Sequence, residues 1–345
     1  MKKGCRYGTH RVIKPEGVLP QTADKIDNTM ELYDNEIMIE VRTLNIDSAS
    51  FTQIKEQAGG DEEKIKEIMQ GIVNERGKHH NPVTGSGGML IGTVARIGSA
   101  LEGKTDLQVG DKLATLVSLS LTPLVIEEIK EIRKEVDQVD IKGKAILFES
   151  GIYAKLPEDI SETLALAVLD VAGAPAQTAK LVKPGDNVLI IGAGGKSGLL
   201  CLHEAKKRAG VTGKVIGLGH SDSSVRRIEE LGLADVILQG DATKPVEILR
   251  MVEEATDGEL ADVTINCVNI PNTEMATILP TKDDGLVYFF SMATSFTKAA
   301  LGAEGIGKDT TMIIGNGYTK DHAEISLHTL KENPKLKEIF TRLYA

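Results

Sequence analysis

A chain of 345 residues is too long for one hydrophobic core, so two domains are expected. The formal net charge of −10 comes with no basic stripe to offset it, which speaks against a nucleic-acid partner and is compatible with a cationic small molecule. The opening MKKGCRYGTH lacks the apolar stretch of a signal peptide, and no run of about 18 apolar residues exists to cross a membrane.

Residues 36–46 (EIMIEVRTLNI) alternate as a strand does. Residues 61–80 are charged, with Ile65, Ile68, Met69 and Ile72 at helical spacing, and read as a helical insertion in a region otherwise made of strands and turns. Residues 85–98 (GSGGMLIGTVARIG) read as a glycine turn feeding a strand, and Gly110–Asp111 as a turn into another. The character changes after Leu156–Pro157. Residues 161–182 are helical in composition, and 187–191 (NVLII) form a short apolar strand of the kind buried on both faces of a parallel sheet. Strand 214–218, helix 223–232, strand 235–238, helix 244–256 and strands 262–268 and 285–290 follow, an alternation that predicts a doubly wound α/β sheet. Residues 321–345 are helical and are expected to pack back on the first domain. Lys206, Lys207 and Arg208 read as a solvated helix face.

The strongest local signal is NVLIIGAGGKSGLL. A buried strand ends at Ile191, and a helix begins near Ser197. Glycines between them let backbone N–H groups approach a pyrophosphate, while the helix N-terminus adds partial positive charge. Gly192, Gly194, Gly195, Lys196, Ser197 and Gly198 are therefore candidate contacts to a dinucleotide, NAD or NADP. Ser197 stands where a third glycine is expected, and Gly198 comes one residue later. The second strand of this half ends at Gly219, where an NAD site places an acid on the ribose. The nearest acid is Asp222. His220, Ser221, Ser223, Arg226 and Arg227 are alternatives that would receive a 2′-phosphate, or the two arginines are simply the exposed face of the next helix.

The order of these features resembles the medium-chain dehydrogenase/reductase superfamily. LQVGDKL lies in the first half, and ESGIYAKLPEDISETLALAVLDVAGAPAQTAKLVKPGDNVLIIGAGG leads into the second. The opening KKGCRYGTHRVIKPEGVLPQTADKIDN, the segment LNIDSASFTQI and the GAGGKSGLL turn are similar, within that superfamily, to the family of L-erythro-3,5-diaminohexanoate dehydrogenases. The resemblance implies a GroES-like, β-rich substrate domain over residues 1–160, completed by 308–345, and a Rossmann dinucleotide-binding domain over 161–307. It implies oxidation of carbon 3 of the diamino acid with hydride transfer to NAD, and hydrolysis of the imine to 5-amino-3-oxohexanoate and ammonia, as in lysine fermentation. It also implies a homodimer through the Rossmann sheet edge, with strand 285–290 as the edge.

Zinc-type relatives carry a cysteine, a Gly-His-Glu turn and a later Cys or Glu. Here the corresponding places hold Asp47, the turn Gly85-Ser86-Gly87-Gly88, and Ala167. That set cannot form a tetrahedral Cys/His zinc site, so no zinc is expected. His79 and His80 are adjacent, and read as exposed loop residues. Cys5, Cys201 and Cys267 have neither metal-ligand nor disulfide spacing, and a reducing, cytoplasmic location is expected. Proton chemistry without a metal needs a carboxylate or histidine. The resemblance places Asp47 on a loop facing the nicotinamide and Asp170 near the reactive end of the cofactor. These are the candidate catalytic pair, as base and as anchor for the second ammonium. Asp47 equally reads as a helix N-cap, and Asp170 as a helix-terminal acid. Ser48, Thr52 and Ser86 are weaker candidates for substrate contact, with Ser50 beside them and Lys55 in reserve. A zinc-free ketone or enone reductase of the quinone-reductase type and a non-catalytic nucleotide-binding protein are the alternatives.

Overall fold

The computed structural model describes residues 2–291, 293–315 and 318–344. The chain divides into two compact units, Met1–Glu158 and Asp159–Ala345.

The first unit contains β1 (Val12–Lys14), β2 (Lys25–Ile26), β3 (Glu36–Asn45), α1 (Ser48–Gln57), α2 (Glu62–Arg76), β4 (Met89–Ile97), β5 (Lys112–Thr115), β6 (Leu124–Arg133), β7 (Gln138–Phe148) and β8 (Tyr153–Lys155). Six of these strands form one antiparallel sheet in the order β6-β7-β3-β4-β5-β8. The first half of β3 is buried on both faces. Ile37 and Ile39 enter a core shared with Phe51 and Ile54 of α1 and Ile65 and Met69 of α2, while Met38 joins a smaller cluster with Ile146 and Phe148. The charged segment at 61–80 is thus an amphipathic helix whose apolar stripe closes the core. Its end is tied down as well: Lys78 is fully buried and donates to the carbonyls of Pro20 (2.6 Å) and Gln21 (3.2 Å), and burial pushes its ammonium down to about 8.

The opening segment is locked by a buried ion pair. Arg11 Nε and Nη2 donate to Glu36 Oε1 (2.6 Å) and Oε2 (2.7 Å), and its other N–H groups reach the carbonyls of Thr29 and Glu31. Burial alone would raise the Glu36 pKa; the hydrogen bonds from Arg11 and His10 outweigh it and bring it to about 2.

The second unit runs α3 (Glu162–Leu169), α4 (Gly173–Leu181), β9 (Asn187–Ile191), α5 (Lys196–Ala209), β10 (Lys214–Gly219), α6 (Asp222–Leu231), β11 (Val236–Gln239), α7 (Pro245–Ala255), β12 (Ala261–Asn266), α8 (Glu274–Ile278), β13 (Thr281–Phe289), α9 (Phe296–Ile306), β14 (Thr310–Ile314), α10 (His322–Glu332) and α11 (Pro334–Tyr344). Its parallel sheet has the order β11-β10-β9-β12-β13-β14, the doubly wound order, with the switch point between β9 and β12.

The segment 161–182 is helical as expected, in two helices, α3 and α4. Two expectations are corrected here. Strand 285–290 is not an edge: β13 lies between β12 and β14, and the edges are β11 and β14. Residues 308–345 complete the second unit and not the first, because β14 extends the parallel sheet and the buried faces of α10 and α11 pack on α3, α4, α5 and α6. Among the described residues no helix is long and apolar enough to cross a membrane.

Candidate active site

In the first unit, the antiparallel register pairs Asn45 with Met89, so the chain leaving β3 and the chain entering β4 lie side by side. Gly88 makes this possible. Its φ is +102°, and a Cβ placed there would fall 2.1 Å from the Asn45 carbonyl oxygen and 2.8 Å from the Asp47 nitrogen. The result brings two sequence candidates together: Ser86 Oγ donates to Asp47 Oδ1 at 3.0 Å. The same oxygen accepts from the Ala49 and Ser50 N–H groups, so Asp47 is also the N-cap of α1. The N-cap reading of that residue is thus met, with one carboxylate oxygen shared between the cap and Ser86. Ser50 is buried, and its hydroxyl lies 2.6 Å from Ser86 Oγ and 2.5 Å from Thr84 Oγ1, so a chain of hydroxyls runs behind the carboxylate. Thr84 was not singled out from the sequence. Its signal was the turn N-P-V-T-G-S, in which Asn81 Oδ1 accepts from the Val83 and Thr84 N–H groups.

The remaining candidates of this unit lie apart from this contact. Ser48 donates to Asp137, whose carboxylate also holds Lys55 at 3.3 Å. Thr52 is exposed on α1. His79 is fully buried, contrary to the expected exposed loop, because its backbone packs against Gly87 inside the unit. Neither ring nitrogen makes a hydrogen bond of ordinary geometry, and burial pushes the imidazole down to about 4. Burial also lowers the half-buried His80.

In the second unit the glycine turn sits at the switch point. Gly192 has φ +81°, and a Cβ there would meet Val268 at 2.8 Å. A Cβ on Gly194 would fall 2.3 Å from the Ser224 carbonyl oxygen. Gly198 performs the close helix–strand packing expected of the third glycine: a Cβ there would fall 2.2 Å from the Gly192 carbonyl oxygen. Gly195 caps α5 without a side chain, and no acidic residue stands in the first turn. That leaves a helix N-terminus open to an anion, in a cradle that any β-carbon would fill. These residues fit a dinucleotide pyrophosphate.

Beside the turn a cavity of about 280 Å³ is walled by Leu218, Ala242, Val268 and Ile270, with Gly219, His220 and Asp241 on its lining. An acid does not fit easily at the end of β10: a Cβ on Gly219 would lie 2.7 Å from Ser224 Oγ. Ser224 and Ser221 are committed to a capping box at the start of α6, so the Ser221 hydroxyl has a structural partner. Arg226 is exposed on α6 and does not line the cavity, whereas Asp241, missed from the sequence, does. Hydrogen bonds from the backbone and then the hydroxyl of Thr243 hold the Asp241 carboxyl below the usual range. Asp170 is the C-cap of α3, and its carboxylate takes a 3.0 Å hydrogen bond from Lys196, the first residue of α5. A proposed anchor and a residue of the glycine turn thus meet.

Among the described residues, one group brings three metal-type donors within 4.8 Å of one another: His203, Glu204 and Glu332. Lys207 holds both oxygens of Glu332 (2.7 and 2.8 Å) and Arg208 reaches Glu204 (3.3 Å), so the carboxylates already have cationic partners.

The β-rich unit, the doubly wound unit and the glycine turn give the chain the medium-chain dehydrogenase/reductase architecture. A mycobacterial quinone oxidoreductase has this fold, with a TM-score of 0.54 at 16% identity, over 94% of this chain and 87% of that one. An Escherichia coli quinone oxidoreductase, solved in complex with NADPH, matches with a TM-score of 0.50 at 17% identity over 90% of this chain and 81% of its own. Residues 10–157 match the family described as the L-erythro-3,5-diaminohexanoate dehydrogenase N-terminal domain. L-erythro-3,5-diaminohexanoate dehydrogenase of Acetoanaerobium sticklandii is 64% identical over 99% of both chains, and that of Fusobacterium nucleatum subsp. nucleatum is 65% identical over the full length of both. The chain belongs to the L-erythro-3,5-diaminohexanoate dehydrogenase family.

Proposed function

We propose that the protein oxidises L-erythro-3,5-diaminohexanoate at carbon 3, with hydrolysis of the imine to 5-amino-3-oxohexanoate and ammonia. Full-length relatedness to two dehydrogenases of that name supports the substrate. The contact between Asp47 and Ser86 carries the chemistry. A nicotinamide cofactor held by the turn from Gly192 to Gly198 would supply the hydride acceptor. The amine must be neutral before hydride leaves and water must be activated afterwards, and Asp47 is the base for both steps. Ser86, backed by Ser50 and Thr84, orients its carboxylate, and Asp170 holds the substrate's second ammonium by charge pairing. The turn from Gly192 to Gly198 holds the pyrophosphate, and the cavity beside it holds the adenosine. Asp241 on that lining favours NAD over NADP, because an ionised carboxylate repels a 2′-phosphate. Zinc has no part in this reading, since Asp47, Ser86 and Ala167 supply no Cys or His ligand.

The chain is proposed to act as a homodimer joined along the free edge of β14. Exposed Ile314 lies on that strand and exposed Phe296 on the neighbouring α9. Three free cysteines fit a reducing cytoplasm.

The deciding experiment follows NADH formation and ammonia release together with the diamino acid and with simple alcohols, and NADH consumption with ketones and enones. Ammonia stoichiometric with NADH supports the reading. Turnover of ketones or enones without ammonia replaces it with a reductase. No turnover with any of them leaves a nucleotide-binding protein.

A further inference from the structure

A lysine at the first position of a helix is in an unfavourable place. The helix dipole puts partial positive charge there, and basic side chains are favoured at the opposite end. Lys196 occupies this position in α5, behind a glycine cap and with no acid in the first turn. Among the described residues, the Asp170 carboxylate, 3.0 Å away, is the anion set against it. Both side chains are partly open to water, at 30% and 50% exposure, so salt screens the pair and separating it costs little. The Tyr344 ring lies 5.2 Å from the same ammonium, a face contact that makes no demand on hydrogen-bond direction. The lysine stem is flexible, and its ammonium is a compact point charge able to change partner.

We propose that Lys196 is a positioning residue with two alternative partners: the Asp170 carboxylate when the dinucleotide is absent, and the pyrophosphate when it is bound. Cofactor binding then releases Asp170 to hold a substrate ammonium. The inference rests on the dinucleotide site and the Asp170 role proposed above, and adds the link between them. While Lys196 sits on Asp170, the carboxylate is neutralised and offers little to a second cation. Once two phosphate charges draw the ammonium away, Asp170 carries an unpaired charge. The order of binding follows, cofactor before diamine. By linkage, bound NADH must raise diamine affinity by the same factor as bound diamine raises NADH affinity.

The test is NADH fluorescence titration of wild type, Lys196→Met, Asp170→Asn, the double variant, and Ile270→Trp. The last fills the adenosine cavity from a position that is already exposed. Lys196→Met should weaken NADH binding by about tenfold, the loss of one charge-assisted contact. Asp170→Asn should tighten it by about threefold, the scale of a screened pair that no longer competes. Asp170→Asn added to Lys196→Met should change nothing further. Bound NADH should tighten L-erythro-3,5-diaminohexanoate binding in wild type and not in Lys196→Met. If Asp170→Asn leaves NADH binding unchanged or weakens it, while Ile270→Trp impairs it, the exchange is wrong and the cofactor site stands. If Ile270→Trp binds NADH as wild type does, the cofactor site itself is misassigned, and the exchange falls with it.

Discussion

Asp47 both caps α1 and contacts Ser86, and one substitution separates the two roles. Asparagine caps a helix about as well as aspartate, so Asp47→Asn should leave the melting temperature unchanged while lowering kcat by about 10²–10⁴-fold. Asp47→Ala should lose the cap as well, at about 1 kcal/mol. Normal kcat/KM for the diamine in Asp47→Asn would remove the carboxylate from the chemistry. His79 makes a second prediction. Its imidazole is held at about 4 in the fold against 6.5 unfolded. Between those values the unfolded chain binds a proton that the folded one does not, so stability is full above pH 6.5 and is lost as pH falls toward 4. Glu36, at about 2 in the fold against 4.5, adds a further loss as pH falls from 4.5 toward 2. The urea midpoint of wild type should therefore fall between pH 7 and pH 4.5, and His79→Leu should flatten that interval; an unchanged slope in the variant would assign the titration elsewhere. Sequence reading named Asp47 and Ser86 as separate candidates, which the structure brings into contact, but placed His79 in solvent. Nothing in its own neighbourhood announces burial: that comes from Gly87 and the loop behind it, reached only through the strand register.

At the scale of elements, the glycine turn was legible because its cause is local. A buried strand, glycines and an uncapped helix lie within a dozen residues. The offset third glycine was harder, since its meaning depends on where the helix starts. With α5 beginning at Lys196, Gly198 faces the Gly192 carbonyl. Gly198→Ala should destabilise the protein by about 1–3 kcal/mol, as overpacking does, and should weaken NADH binding. The check is thermal unfolding with and without NADH. Wild type at one hundred times its Kd should gain about 2.7 kcal/mol, and the variant at the same NADH concentration distinctly less. A variant stabilised as much as wild type would put the pyrophosphate somewhere other than on this turn. The end of β10 illustrates the opposite case. Gly219 reads as a missing acid, yet the reason lies in α6, whose capping-box serine occupies the space that a side chain needs. The cavity beside the turn instead has Asp241, after β11, on its lining.

At the scale of the whole molecule, the parallel sheet ends in β14, which has β13 as its single neighbour among the described residues. If two copies join there about a two-fold axis, Ile314→Asp brings like charges close together across the joint and should shift the protein from dimer to monomer in light scattering. A wild type that is already monomeric, or a variant that stays dimeric, excludes this edge. The ligand positions of zinc-type relatives hold Asp47, Ser86 and Ala167, so activity should survive prolonged chelation; stoichiometric zinc whose removal abolishes turnover would overturn that. The sequence by itself determined that there are two units, the strand-then-alternation order and the glycine turn between strand and helix. Periodicity, capping and turn chemistry act within a few residues, and the family resemblance rests on whole stretches of the chain. Only the tertiary structure decided that 310–314 closes the sheet, that the tail belongs to the second unit, and that Asp170 meets Lys196 from 26 positions away. Which strand is an edge, which histidine is buried and which acid faces a lysine are outcomes of packing among distant residues, and no local pattern encodes them.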